Sequence, residues 1–113
     1  MPSQGIEAKK TLPSTLSPTN LDLAWAAGLY EGEGNVQRNK NSVSVRISQN
    51  DCWVTHRLLV LFGGTLGTQY GWKGRAMCRW MLNGARARGF LLTIYPWLSL
   101  RRQEAVRAAV HGD

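Results

Sequence analysis

Acid is scarce in this chain, and long apolar runs are missing. Seven Asp and Glu stand against fourteen Lys and Arg among 113 residues. No hydrophobic stretch approaches the roughly 20 residues of a membrane-spanning helix. The N-terminus has no compact apolar region of the secretory type, so the expected location is cytoplasmic and nucleoid-associated. Cysteine is almost absent. Cys52 and Cys78 lie far apart in the chain and show no metal-ligand spacing; they read as two reduced thiols of an intracellular protein. Proline occurs four times, three of them within residues 1–18. That segment shows no sustained periodicity and reads as a flexible arm, in which Lys9 and Lys10 are solvated by default. Residues 19–113 then form a single domain, with a 43% hydrophobic fraction sufficient for one modest core.

What is abundant is positive charge. The formal net charge is +7 and the sequence pI is about 10.1. From Asn35 onward twelve Lys and Arg face only Asp51, Glu104 and Asp113. Such a cationic domain points to a polyanion, above all nucleic acid. Most of these cations are arginines, whose planar fork suits phosphates and guanine edges.

The pattern Leu23-Ala-Trp-Ala-Ala-Gly-Leu-Tyr-Glu-Gly-Glu-Gly34 is an apolar helical run that ends at two glutamates interleaved with glycines. Thr19 or Asn20 caps its start, with Asp22 in the first turn. Gly32 and Gly34 unwind the backbone and leave Glu33 at the helix C-terminus, where the helix dipole disfavours an acid unless a cation compensates it. Ala24, Ala27, Gly28 and Gly32 fall near one face, open to close approach by another helix.

Beyond Gly34 the period changes to two. Asn35–Arg38, a turn over Asn39, Lys40 and Asn41, and Ser42–Gln49 form a β-hairpin. Val43, Val45 and Ile47 make one face. Ser42, Ser44 and Arg46 occupy the other, and a strand-end irregularity lets Gln49 adjoin them. The polar face carries hydroxyls, amides and arginine without acid, a repertoire for base edges and phosphates. A second helix spans Cys52 to Phe62, stopped by Gly63-Gly64. A second hairpin joins Thr65–Tyr70 to Arg75–Leu82 around Gly71–Gly74. On its last strand Arg75, Met77 and Arg79 oppose Ala76, Cys78, Trp80 and Leu82. A third helix runs from Ala85 to about Tyr95 and breaks at Pro96, and an amphipathic fourth helix follows from Trp97 to Val110. Arg86, Arg88, Arg102 and Arg107 read as solvated helix-face charges.

The segment Ala26–Gly34 resembles the signature nonapeptide of the LAGLIDADG homing endonucleases, with glutamates in place of aspartates. The order helix, hairpin, helix, hairpin, helices extends the resemblance over Leu21–Val110. It implies an α+β fold, an αββαββα core with a saddle-shaped antiparallel sheet and C-terminal helices. It also implies a site-specific double-stranded DNA endonuclease that hydrolyses phosphodiesters with Mg²⁺, or another divalent cation such as Mn²⁺. Having one motif, the chain would act as a homodimer whose seam is Ala24, Ala27, Gly28 and Glu31. Intron or intein mobility is the family's setting.

By residue matching, Glu33 is the metal ligand, joined by the Gly32 carbonyl. Gln49, in Ile47-Ser-Gln-Asn50, matches the residue that orients solvent, and Arg101, after Pro96-Trp-Leu-Ser-Leu100, matches a basic residue facing the active-site water or phosphate. Arginine does not give up its proton, so that role is electrostatic. Gln37, Asn39, Lys40, Ser42, Ser44, Arg46, Lys73, Arg75, Met77 and Arg79 form the DNA-binding set. Gln49 follows Glu33 by only sixteen positions, a short hairpin that implies fewer base contacts. The basic residue that some members place at the start of the second helix has no clear counterpart, Arg57 being the one candidate. The alternative function is a non-cleaving DNA- or RNA-binding module, maturase-like or regulatory, on the same fold.

Overall fold

The computed structural model describes residues 11–111; Lys9, Lys10 and the rest of residues 1–10 lie outside the described residues. The first helix, α1 (Asn20–Glu33), begins at Thr19 with a capping box. The Thr19 hydroxyl accepts from the Asp22 amide, and the Asp22 carboxylate accepts from the Thr19 amide at 2.9 Å. The Thr19 amide first, and then the Arg57 guanidinium, hold the Asp22 carboxyl below its usual value by hydrogen bonding to it. Strands β1 (Gly34–Asn39) and β2 (Ser42–Gln49) follow as an antiparallel hairpin. Helix α2 (Cys52–Phe62) starts at Asp51, whose side chain accepts from the Trp53 amide. It ends at Gly63 and Gly64, both at positive φ (73° and 114°), a region glycine enters without a Cβ clash.

Strands β3 (Thr65–Tyr70) and β4 (Ala76–Asn83) make the second hairpin. Helix α3 (Gly84–Ile94), a 3₁₀ turn at Tyr95–Trp97 and helix α4 (Leu100–His111) complete the chain. The fourth helix therefore starts at Leu100 rather than Trp97. Pro96 is accommodated in the 3₁₀ turn, and Leu98 is extended (ψ 156°), so a new helix has to nucleate after it.

The four strands form one antiparallel sheet in the order β1-β2-β4-β3. The helices cover one face of it. Val43, Val45 and Ile47 of β2 and Trp80 and Leu82 of β4 are buried there with Tyr30, Leu58, Phe90, Leu91, Ile94 and Val106 from the helices. Trp80 anchors this layer. It is fully buried, its indole N–H donates to the Gly63 carbonyl at 2.8 Å, and its ring meets Phe62 and Phe90. None of the side chains on the opposite face of the sheet is buried, and the alternation read from the sequence is preserved.

One expectation is overturned by the packing, and a second is refined. Cys52 and Cys78 are not free thiols; they form a disulfide, with Cα atoms 5.3 Å apart. The reason is the register: Gln49 at the end of β2 faces Cys78 on β4, and α2 begins three residues later at Cys52. In the chain-entropy view a link across 26 residues stabilises by about 3 kcal/mol. Urea unfolding with and without a thiol reductant checks this. Reduction should lower the midpoint of the native chain and leave a Cys52→Ala, Cys78→Ala chain unaffected.

The arginines expected as solvated helix-face charges do remain at the surface, Arg86, Arg88 and Arg107 exposed and Arg102 half-buried, but each also bonds within the fold. Arg86 donates to the Leu12 carbonyl and Arg88 to the Val110 carbonyl, Arg102 donates to the Glu31 carbonyl, and Arg107 bonds the Tyr95 hydroxyl. Arg38, whose register parity turns it towards the helices, joins Arg88 at the end of α4 by donating to the Ala109 carbonyl at 2.6 Å. The end of the expected arm is tied to the domain too. Leu12 exchanges two backbone hydrogen bonds with Gly64, and Thr15 donates to the Val60 carbonyl.

Candidate active site on the open sheet face

The unburied face of the sheet is assembled by parity and register. From β1 come Asn35, Gln37 and Asn39; from β2, Ser42, Ser44, Arg46 and Ser48; from β4, Met77, Arg79 and Met81; from β3, Thr65, Gly67 and Gln69. No carboxylate lies on these strands. Arg79 reaches across Gly67, where a Cβ would stand 2.9 Å from its guanidinium, so the glycine makes room for the cation. Lys40 and Lys73, at the two hairpin turns, both hold positive φ (51° and 58°), conformations that cost a non-glycine residue energy.

The cation census thereby divides. Arg38, Arg57, Arg86, Arg88, Arg102 and Arg107 bond carbonyls, a carboxylate or ring systems within the fold. Lys40, Arg46, Arg75 and Arg79 lie on the open face or at its turns, and Arg101 stands exposed on the first turn of α4. Only part of the positive charge is thus arranged for an external partner, and that part is concentrated on one side.

At the edge of this face Glu33 ends α1. It lines a cleft of about 280 Å³ with Asn35, Arg46, Ser48, Gln69 and Met77. A second cleft of about 530 Å³ adjoins it through Met77 and is lined by Asn50, Gly71, Lys73 and Arg75. Glu33 is exposed, and among the described residues no hydrogen bond or ion pair engages its carboxylate. No basic residue lies in the last turn of α1. An acid at the negative end of a helix, without a cation from its own fold, favours an external one.

Glu31 has a different environment. Its carboxylate accepts from the Ser99 amide at 2.9 Å and the Ser99 hydroxyl at 2.7 Å, and Arg101 lies 3.9 Å away. The two bonds from Ser99, the amide first, hold the Glu31 carboxyl below its usual value. Of the candidate seam residues, Ala24 is partly exposed and Gly28 exposed, whereas Ala27 is 1% exposed and packs into its own core. The open stripe of α1 therefore reads Leu21, Ala24, Gly28 and Gly32. A Cβ added at Gly28 or Gly32 meets nothing within 4 Å.

The other two matched residues are placed less closely. Arg101 is on the first turn of α4, at the same end of the fold as Glu33, and its ion pair is with Glu31. Gln49 pairs regularly with Cys78, and no strand-end irregularity intervenes. Its parity is that of Val45 and Ile47, and it does not line the Glu33 cleft. Arg57 bonds Asp22 at 2.9 Å and stacks over Trp25 and Trp53, which satisfies it inside the fold.

The residues overlooked in the sequence are Asn35, Ser48, Gln69 and Asn50. Asn35 and Ser48 follow from strict alternation with Gln37 and Arg46. Gln69 follows only once its pairing with Met77 is known, because Thr65–Tyr70 has no clear apolar face of its own.

Among the described residues no group of three or more His, Cys, Asp and Glu gathers to hold a metal. The donors at the end of α1 are nevertheless of the right kind. An unpartnered carboxylate is a hard oxygen ligand, and Mg²⁺ is commonly held by one or two carboxylates together with substrate phosphates and water. One chain supplies one such acid.

Comparison with known proteins supports the architecture. No family model matches the chain, and no curated protein matches it. Among solved structures, the homing endonuclease I-CvuI in complex with the I-CreI target in the presence of Mg, with the DNA not cleaved, superposes with a TM-score of 0.61 at 19% identity over 81% of this chain. I-CvuI in complex with its own target in the presence of Ca superposes with a TM-score of 0.60 at 16% identity over 80% of this chain. The chain spans 65% and 64% of the length of those two structures. The α+β architecture, four antiparallel strands in one sheet with four helices, is that of the LAGLIDADG-like fold.

Proposed function

We propose that this protein is a divalent-metal-dependent endonuclease acting on double-stranded DNA as a homodimer. The observation that carries the reading is the unequal fate of two glutamates separated by a single glycine: Glu31 is satisfied inside the fold, and Glu33 faces the cationic sheet surface without a partner among the described residues. The acid-free strands carry amides, hydroxyls and arginines suited to groove edges and phosphates. The DNA complexes of the structurally similar I-CvuI point the same way.

In this reading the stripe Leu21, Ala24, Gly28 and Gly32 packs against its copy across a two-fold axis and brings two Glu33 carboxylates together. Glu33 and the Gly32 carbonyl would hold the metal. A bound Mg²⁺ supplies charge neutralisation on the phosphate and leaving oxygen and an activated water. Arg101 contributes fixed positive charge beside the scissile phosphate, and Arg46, which lines the cleft with Glu33, holds the strand in place. Gln49 can orient solvent only by turning away from its parity, so Ser48 and Gln69, which share the cleft with Glu33, are the better-placed polar groups.

The test measures binding to duplex DNA that flanks the reading frame over a range of salt. Replacing Arg46, Arg75 or Arg79 by alanine should weaken binding and reduce the log–log salt slope by about 1 for each phosphate left without its cation. Arg88→Ala, which removes a carbonyl bond between the helices that cover the other face of the sheet, should leave the slope unchanged. Equal slopes in all four variants would mean that the open face does not meet DNA.

A further inference from the structure

Ser99 starts α4 as its N-cap: its hydroxyl accepts from the Arg102 amide at 3.2 Å, and its carbonyl accepts from the Gln103 amide at 2.8 Å. A capping box places a Glu or Gln at the third helical position to receive the N-cap amide. Here that position is Arg102, which cannot accept. The missing acceptor comes from another helix. Glu31 of α1 takes both the Ser99 amide and the Ser99 hydroxyl, and Arg102 returns the tie by donating Nε–H to the Glu31 carbonyl at 3.2 Å. Arg102 also lies over the Tyr30 ring, 5.0 Å from its centroid. Together these interactions bind the last turn of α1 to the first turn of α4, in a capping box completed between helices.

We propose that Glu31, Ser99 and Arg102 are positioning residues that set Glu33 and Arg101 against each other for the cleavage reaction. This inference rests on the endonuclease reading. The spacing is the basis: Glu33 lies two residues after Glu31, and Arg101 lies two residues after Ser99. Each candidate active-site group thus hangs from one half of the lock. The need for it is local. Glu33 is the final residue of its helix, flanked by Gly32 and Gly34, and a helix end flanked by glycine frays unless it is tied. The lock is exposed at Ser99 and partly exposed at Glu31. Exposed polar ties add little to global stability, so its loss is expected in reaction geometry rather than in folding.

Single-turnover cleavage of flanking DNA by the full chain in Mg²⁺ tests this. Glu31→Ala and Ser99→Ala should each lower the cleavage rate constant about tenfold. DNA affinity should stay within about twofold, Glu31→Ala should hardly move the thermal midpoint, and Ser99→Ala, which also loses the helix cap, should lower it by only a few degrees. The double variant should be no slower than the slower single one, because both changes break the same interaction, and Ser99→Thr, which keeps the hydroxyl, should retain most of the rate. Unchanged rates, additive losses, or losses that follow the fraction of unfolded protein would each overturn the proposal. If the wild-type chain binds DNA and never cuts it, the endonuclease reading fails separately. Hydrogen exchange then decides on the lock. Faster exchange at Gly32, Glu33, Arg101 and Arg102 in Ser99→Ala, with unchanged strand amides, supports it, and unchanged exchange at those four overturns it.

Discussion

Glu33→Gln should reduce DNA hydrolysis by about a thousandfold or more and leave DNA binding intact. The substitution is nearly isosteric and removes only the charge and one ligand oxygen. Glu33 is exposed at the end of α1 and, among the described residues, has no partner to lose, so the fold should not respond. Removing a negative charge beside the cationic face also removes repulsion towards phosphates, which keeps affinity equal or tightens it. The check is single-turnover cleavage of plasmid DNA carrying the flanking sequence in Mg²⁺ or Mn²⁺, together with binding in the absence of metal. A Glu33→Gln chain that cuts at the wild-type rate would remove Glu33 from the active site. A wild-type chain that binds tightly and cuts in neither metal would establish the non-cleaving alternative.

Gly34→Ala should disrupt the site from the other side, through packing. Gly34 has ordinary extended dihedrals (φ −76°, ψ 153°), so its glycine is not required by backbone conformation. It is required by space. A Cβ there would lie 2.6 Å from Cε1 and 2.7 Å from Cγ of Tyr30, and nearer still to Cδ1. Tyr30 is fully buried and meets Phe90 edge-on, so the ring cannot move aside. Overpacking of this kind costs about 1–3 kcal/mol, and it displaces the residue next to Glu33. Gly28→Ala is the contrasting change. Its added methyl meets nothing within the protomer, and alanine is favoured over glycine in a helix by about 1 kcal/mol. Urea unfolding should therefore show Gly34→Ala destabilised and Gly28→Ala unaffected or stabilised. Mass measurement at micromolar concentration should show Gly28→Ala shifted towards monomer, because the added methyl stands on the proposed seam. A wild-type chain that stays monomeric with DNA present would remove the two-fold active site.

The elements are legible in the sequence because their signals are local. Thr19 with Asp22, Asp51 before Cys52, and Gly63-Gly64 mark helix ends within a few residues of themselves. The alternation of Val43, Val45 and Ile47 against Ser42, Ser44 and Arg46 declares a half-buried strand in six positions. The helix end that carries Glu33 is likewise written in the glycines around it. Where sequence and structure differ, the deciding partner is distant. Twenty-six residues separate Cys52 from Cys78, and only the β2-β4 register makes them neighbours. Gln69 gains its face from Met77, and Gln49 keeps the parity of Val45 and Ile47, because its regular pairing with Cys78 leaves no room for the strand-end irregularity that the sequence suggests.

By itself, then, the sequence determined the order of elements, the two faces of each hairpin and the position of an acid at a helix end, because each depends on caps, turns and periodicity within one segment. Tertiary structure decided which of two neighbouring glutamates is satisfied, which arginines serve the fold and which cations face outward. Glu31 and Glu33 differ by two places in the chain, and although the flanking glycines single out Glu33 as the helix end, nothing local supplies Glu31 with its partner. Ser99, sixty-eight residues from Glu31, is that partner, occupying one carboxylate and leaving the other to the open face.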